Sequence, residues 1–427
     1  MIKRIFVICT ILFSLKGIAQ KNSDSPYSYF GIGEGQRSST AEQMSMGGVG
    51  VAYGDAYHIN LINPALASKL RLTTYTVGLN TRSISVESNE GGKQNARNTS
   101  FSYLALGFPV GEKGGFIVGL DPKTTVGYQL TSRIYDGEDL TETNYFNGEG
   151  GTNRFFVNFG YNVYKGLSLG VEGSYIFGKI DNEIVKQVEG VQYATKYGTN
   201  LNVKGAVLKL GAFYQANLSE KLQLNLGATT TFESTLNSEG NERFYTLLFV
   251  DGVEAPNDVL FDRGIEGEYK TPMRSELGFG IGLENKWYVG LDYSFRSALE
   301  IQGSAFNVQN VEYKDYSRVA LGGFYLPKQN SLTSYWQRVI YRFGVKYEKP
   351  GMAVRPSGSL QDFKEIDDFG ISFGLGLPLG KKLSNLNLGF EFGRRGDKGE
   401  GLIQENYFNF KVGLSLNDKW FNKYKID

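Results

Sequence analysis

The chain has 427 residues, including 55 Gly, 27 Tyr and 29 Phe against only 10 Pro, so glycine runs at nearly twice its usual share of ~7%. Lys and Arg number 45 and Asp and Glu 44, a net charge of +1 with no long block of either sign, which excludes nucleic acid or a polyanion as a partner held by bulk electrostatics. No apolar run approaches the ~18 residues of a membrane-crossing helix, which excludes an α-helical membrane protein but not one that crosses with strands.

The chain opens with the three parts of a secretory signal peptide: Lys3 and Arg4, the apolar run Ile5 to Leu15, and the small-residue site Gly17-Ile18-Ala19. Cleavage is expected to remove residues 1–19. Cys9 leaves with them, so the mature chain is expected to have no disulfide and no thiol chemistry. Residues 20–70 show no alternation. They are small, polar and Gly-rich, with the stretch Met46-Gly47-Gly48-Val49-Gly50-Val51-Ala52-Tyr53-Gly54-Asp55, then Asn60 and Asn63-Pro64-Ala65. Such a segment cannot bury a core of its own and is expected to pack inside something larger as a hatch.

From residue 71 onward the pattern has period two, the signature of a strand with one apolar face. Phe155, Val157, Phe159, Tyr161 and Val163 share one face, and Leu167, Leu169, Val171, Tyr175 and Phe177 share the next; Ser168, Gly170, Glu172 and Ser174 lie opposite the second set. Later, Val289, Leu291, Tyr293 and Phe295 oppose Gly290, Asp292, Ser294 and Arg296. Fourteen segments follow this rule: 71–82, 100–109, 115–127, 154–164, 167–178, 203–216, 222–235, 273–283, 288–297, 317–325, 340–348, 368–378, 386–394 and 407–416. Their connections alternate long and short. The short ones are 110–114, 165–166, 217–221, 284–287 and 379–385, and the exception, 326–339, has room for a periplasmic turn of helix.

This rhythm predicts an all-β fold, a transmembrane antiparallel β-barrel of about 14 strands over residues 71–427, with short periplasmic turns and long extracellular loops. Lipid offers no hydrogen bonds, so strands cross it only when closure pairs every edge. Tyr75, Tyr128, Tyr164, Tyr325 and Tyr407 sit at strand ends, where aromatic girdles are expected. Arg296, Arg342, Lys346, Glu276, Glu391 and Lys411 fall on the inward parity, as candidates for holding the hatch, lining a permeation path or gripping a ligand carboxylate. Asp121-Pro122 lies inside the third segment. Proline cannot donate to a ladder, so it marks either a break in the wall or a turn wrongly joined to a strand.

Catalysis is not expected. Gly166-Leu167-Ser168-Leu169-Gly170 and Gly370-Ile371-Ser372-Phe373-Gly374 match a nucleophile-elbow spacing, but neither is followed by a helical pattern. His58 is the single histidine and lies in the hatch, far in sequence from both serines, so it reads as a packed plug residue. Asp367-Asp368 reads as solvated rather than as an acid–base pair. With so few His and Cys residues, neither a transition-metal site nor a cofactor is expected.

The stretch Gly48, Gly50, Ala52, Tyr53, Gly54, Asp55 followed by Asn63-Pro64-Ala65 resembles the hatch of the FadL family of Gram-negative outer-membrane proteins. The ending, Glu405-Asn406-Tyr407-Phe408 through Trp420-Phe421, is similar to a PorV-like branch, named for a barrel subunit of a bacterial protein-secretion machine. The resemblance implies a fourteen-stranded barrel with an N-terminal hatch, set in outer-membrane lipid. It implies passive passage of a small hydrophobic or amphipathic solute past that hatch, with Asn63, Pro64, Ala65, Asp121, Pro122, Arg296, Arg342, Lys346 and Glu391 as ligand or permeation candidates. In the family's fatty-acid transporters the third strand kinks and opens a lateral gap, the role this would give Asp121-Pro122. The alternative is an accessory subunit, with protein partners, of an outer-membrane secretion, assembly or surface complex. An energy-coupled transporter of about 22 strands would need more chain than this.

Overall fold

The computed structural model describes residues 25–89, 91–250, 253–303, 310–356, 362–380 and 384–418. The expected signal peptide and the Trp420-Phe421 ending lie outside the described residues.

Fourteen strands form one closed antiparallel barrel. They are β1 Thr73–Ser88, β2 Gly92–Val110, β3 Gly114–Asp136, β4 Asp139–Tyr164, β5 Leu167–Val188, β6 Ala194–Asn217 and β7 Leu222–Thr231. The second half comprises β8 Arg274–Leu283, β9 Trp287–Arg296, β10 Tyr316–Tyr325, β11 Ile340–Lys349, β12 Asp368–Leu379, β13 Ser384–Arg395 and β14 Gln404–Asp418. Closure is made by β14 on β1, from Thr73↔Asp418 to Glu87↔Gln404. Each strand expected from the alternation is present, and connection 326–339 carries the short 3-10 turn Trp336–Arg338.

The strands of the first half run well past their expected ends. Intervals 83–99, 128–153 and 179–202, read from the sequence as long loops, are mostly strand: β3 and β4 pair out to Asp136↔Asp139, and β5 and β6 to Lys186↔Thr195. A hairpin, Ser234–Val250 and Val253–Thr271, lies between β7 and β8 and pairs with the upper half of β6, from Ala194↔Leu247 to Lys204↔Asn237. One side of the barrel therefore continues as a tall sheet beyond the 9–11 or so residues a strand needs to cross lipid.

The side chains explain why the pattern was lost there. Along β5 the outward residues Leu169, Val171, Tyr175 and Phe177 are apolar and exposed, as lipid requires, but next on that face come Lys179 and Asp181, ion-paired at 3.2 Å. The inward face changes in the opposite sense, from Ser168 and Glu172 to the fully buried Ile176 and Ile180. β6 does the same, with Lys209 inward below and Val203 and Leu201 inward above. Above the lipid the outside is wet and the inside is a core of Ile32, Val126, Tyr128, Ile176, Ile180, Leu201, Val203, Leu236 and Ile265. Two of the expected girdle tyrosines face inward for related reasons. Tyr128 is buried in that core with its hydroxyl donating to Asn182 at 2.8 Å, and buried Tyr407 donates to Asp368 at 2.6 Å. Tyr75, Tyr164 and Tyr325 are exposed.

The segment before β1 fills the lumen. It contains a 3-10 turn Pro26–Tyr29, a two-residue strand Glu34–Gly35, a short helix Ala41–Met44 closed by a capping box between Thr40 and Gln43, and a 3-10 turn Pro64–Lys69 capped by Asn63. Residues 39–52 and 59–68 are all buried.

Candidate functional site

The hatch is seated on a ring of wall glycines. Every strand except β1 and β9 carries an inward glycine whose missing side chain is occupied by hatch atoms. A Cβ on Gly160 would lie 2.6 Å from Pro64 O, and one on Gly278 would lie 2.7 Å from the Val51 side chain. Gly115, Gly170, Gly227 and Gly344 are closer still to the backbone of Ala67, Pro64, Val51 and Met46. The ring is aligned by register, with Gly115↔Gly160, Gly160↔Gly170 and Gly170↔Gly211 directly paired. The two remaining strands use Gly78 and Gly290 to admit the lumen tyrosines Tyr103 and Tyr288. The high glycine content thus lets two backbones approach without intervening side chains.

Polar groups of the wall satisfy the hatch backbone. Asp292 of β9 accepts the Gly50 N–H at 2.7 Å and the Val51 N–H at 3.0 Å. Asn63 caps its own 3-10 turn through the Ala65 N–H (3.0 Å) and donates to Val51 O (2.8 Å) and Ala212 O (3.0 Å), so Asn63, Pro64 and Ala65 belong to the floor. Ser168 accepts from Ser68 at 2.8 Å, and Ser372 accepts the Gly47 N–H at 2.8 Å, which gives both serines of the elbow-like motifs a structural partner. Lys411 donates to Ser39 O at 3.2 Å, and Arg342 donates to Asn387, itself bonded to Glu42 of the hatch.

The remaining lumen charges are largely neutralised by pairing. Lys346 meets Glu391 at 2.9 Å, Arg154 bridges Asp121 (2.9 Å) and Glu172 (2.8 Å), and Glu276 lies between Arg37 (2.8 Å) and Arg274 (3.1 Å). Glu34 of the hatch strand bonds Arg82 at 2.9 Å and Arg395 at 2.7 Å. Asp368 pairs with Arg395 at 3.1 Å rather than standing solvated. Arg296 stands apart from this set and packs over the Tyr316 ring at 5.5 Å, beside a cavity of about 270 Å³ above the hatch. Ile62, Ile176, Val207 and Leu236 supply apolar wall to that cavity, and Lys123 and Arg274 line it with Arg296.

Among the described residues the wall has one break. β2 and β3 pair only from Val110↔Gly114 to Leu104↔Leu120, and Asp121-Pro122 follows at once. β3 continues as strand, with Pro122 opposite Asn153 of β4 and an irregularity before Thr124, so this is a break in a ladder and not a turn. The hatch strand fills the freed edge: Glu34 pairs with Thr125, Gly35 with Thr124, and the Gln36 N–H donates to Lys123 O at 2.8 Å. The space left beside it, about 170 Å³, is lined by Gln36, Asn80, Arg82, Asn98, Ser100 and Asn409 among others, a polar surface.

The barrel, its hatch and the third-strand break agree with the expected FadL-like architecture, and the family model described as BamG matches residues 1–427. The chain belongs to the BamG family. Its fold is similar to that of a Pseudomonas aeruginosa FadL homologue, with 12% identity over 91% of this chain and 100% of that one at a TM-score of 0.59. It is also similar to the Pseudomonas putida toluene transporter TodX (14% identity, 91% and 99% covered, TM-score 0.59) and the Ralstonia pickettii toluene transporter TbuX (14%, 89% and 98%, 0.57). At such identities the likeness is one of fold. Among curated proteins, none matches this chain.

In this BamG-family hatch, the single histidine has a specific place. His58 Nδ1 meets Asp55 at 2.7 Å, Nε2 faces Asn385 at 3.2 Å, and Tyr53 donates to the same Asp55 carboxylate at 2.9 Å. Burial alone would lower the His58 pKa, but the Asp55 carboxylate and then Glu42 hold it above its usual value. Burial opposes and His58 drives the shift of Asp55 to below the usual carboxylate range. The pair is a structural clasp. Sequence reading missed Asp292, Arg154, Lys123 and the paired glycines, whose partners are set by register rather than by spacing.

Proposed function

We propose that the chain is a non-catalytic accessory barrel of an outer-membrane assembly complex, exported through a cleaved signal peptide at residues 1–19, with a hatch at 20–70 and a barrel at 71–427. The observation that carries this reading is the stoppered break between β2 and β3: the hatch strand Glu34–Gly35 lies along the freed edge, and the lining left beside it is polar. A hydrocarbon gains nothing from such a lining, since it would displace water from amides and charges without replacing their hydrogen bonds. The floor offers no other exit, because the hatch is held backbone to backbone. The BamG family name, which points to an assembly-complex role, supports the same reading.

A second reading, passive passage of a small amphipathic solute, is favoured by the 270 Å³ cavity, whose apolar wall and basic residues suit such a molecule. Mild-detergent extraction of the tagged protein from outer membranes, followed by native mass measurement, separates the two. A stoichiometric complex with another outer-membrane protein is expected. A particle of one barrel's mass would overturn the accessory reading in favour of passage.

A further inference from the structure

β3 crosses the lipid in about its first ten residues and then rises into the extracellular medium, and there, among the described residues, one edge of it is open. The lower part of that edge is taken by the hatch. The Gln36 N–H bonds Lys123 O, Glu34 pairs with Thr125, and Ser28 Oγ meets both the N–H (3.1 Å) and the C=O (3.2 Å) of Gly127. Lys123, Thr125 and Gly127 are alternate residues, and strand alternation puts the backbone groups of Gln129, Thr131 and Arg133 on the same side. Among the described residues the hatch goes no further along the edge. It turns across the barrel at Ser25, which donates to Glu405 of β14. β2, the neighbour that would cover the edge in a regular wall, pairs with β3 only as far as Leu104 and otherwise follows β1.

The open stretch is strand, paired on its other side to β4 out to Asp136↔Asp139 with one irregularity between Ile134 and Tyr135. Open edges in natural proteins are usually blunted by proline, lysine or an inward charge. Here the sequence Gln129-Leu130-Thr131-Ser132-Arg133-Ile134-Tyr135-Asp136 has no proline or lysine, carries charge only at Arg133 and Asp136, and exposes Ile134 and Tyr135 by 47% and 55%. A row of backbone donors and acceptors flanked by exposed apolar side chains is what an added strand requires, with main-chain bonds for affinity and alternate side chains for specificity.

We infer that the upper edge of β3, Gln129–Asp136, takes an extended segment of a partner polypeptide as an added strand, continuing the ladder that hatch residues 34–36 begin. The inference rests on the accessory-subunit reading. Recognition is through the backbone, so the partner segment needs β-forming residues and an apolar side chain to meet Ile134 or Tyr135, and no fixed charge.

Proline at gap-facing positions tests it, because proline removes a backbone N–H and is tolerated at an edge. The full chain is extracted with its complex from native membranes as wild type, Thr131→Ala, and the double variant Thr131→Pro/Arg133→Pro. The alanine variant is expected to keep its stoichiometric partner, and the double proline variant to lose it at least tenfold while still running as a folded, heat-modifiable barrel. In the wild-type complex, amide exchange at Gln129, Thr131 and Arg133 is expected to be slower than in the isolated barrel, a reading that does not depend on the variants folding. Unchanged exchange at these amides, or a partner retained by the double proline variant, overturns the inference and leaves the accessory reading standing. A particle of two copies of this chain, or a glycolipid protecting the edge in place of a protein, also overturns it. A wild-type barrel that extracts alone overturns both.

Discussion

Gly170 shows at one residue what the glycine content is for. A Cβ there would overlap the backbone of Pro64 and Ala65, which cannot move aside as a side-chain end can, whereas a Cβ on Gly173, three residues along the same strand, would meet open space. Gly170→Ala is therefore expected to destabilise the barrel by about 1–3 kcal/mol, the usual cost of overpacking. Gly173→Ala should change stability by no more than about 0.5 kcal/mol, as for substitutions away from any special feature. Thermal unfolding in detergent, followed by the heat-dependent gel shift, measures both; equal effects would remove the seating role assigned to Gly170. In the sequence the two glycines look alike, both on strand β5 in an alternating run. Parity separates inward Gly170 from outward Gly173, but only the fold shows that an inward glycine faces backbone rather than water. The same limit explains why the inward parity of Arg342 was legible while its partners were not, since Asn387 of β13 meets Arg342 across the wall and Glu42 reaches Asn387 through a hatch whose course no local pattern encodes.

Among the elements, the barrel strands were legible wherever lipid sets the pattern and illegible where it stops. β8 to β13 lie close to their expected ranges because most of their length faces lipid. β3 to β6 were cut short in reading because their upper halves exchange which face is apolar, as at Phe177 and Lys179 of β5. The hatch strand Glu34–Gly35 was not legible at all: two residues carry no periodicity, and its partner is an edge freed by Pro122, some ninety residues on. Its hold is testable. Gln36→Pro removes the N–H that bonds Lys123 O at 2.8 Å, a loss of about 1–1.5 kcal/mol for one half-buried hydrogen bond, or roughly tenfold in the opening equilibrium. With Thr125→Cys as a reporter on the covered edge, labelling by a water-soluble maleimide is expected to be slow in the otherwise native chain and about tenfold faster with Gln36→Pro. Equal rates would show that the strand does not stopper the break.

For the whole molecule, the hatch, the ion pairs and the stoppered wall make one argument about what the barrel lets through. The outer-membrane barrel fold and its likeness to FadL-type barrels were legible from alternation and from the Asn63-Pro64-Ala65 resemblance, but whether the lumen conducts depends on how 25–71 packs within it. The wall meets the hatch through glycines on all but two strands, and wall side chains such as Asp292 and Ser372 satisfy the hatch backbone directly. A plug held this way has no low-energy route out, because displacing it would leave buried N–H and C=O groups unpaired at about 1–3 kcal/mol each. In planar lipid bilayers the native chain is therefore expected to pass no steady current, and liposomes containing it should take up toluene or a short-chain fatty acid no faster than empty ones. A chain lacking residues 25–70 is expected to conduct if it folds, since the lumen would then hold water around Asp292, Arg342 and Lys411. Saturable uptake by the native chain would restore the passage reading. Because the floor is sealed, such a solute would have to leave through the break beside Pro122, and Gln36→Pro should then speed its uptake.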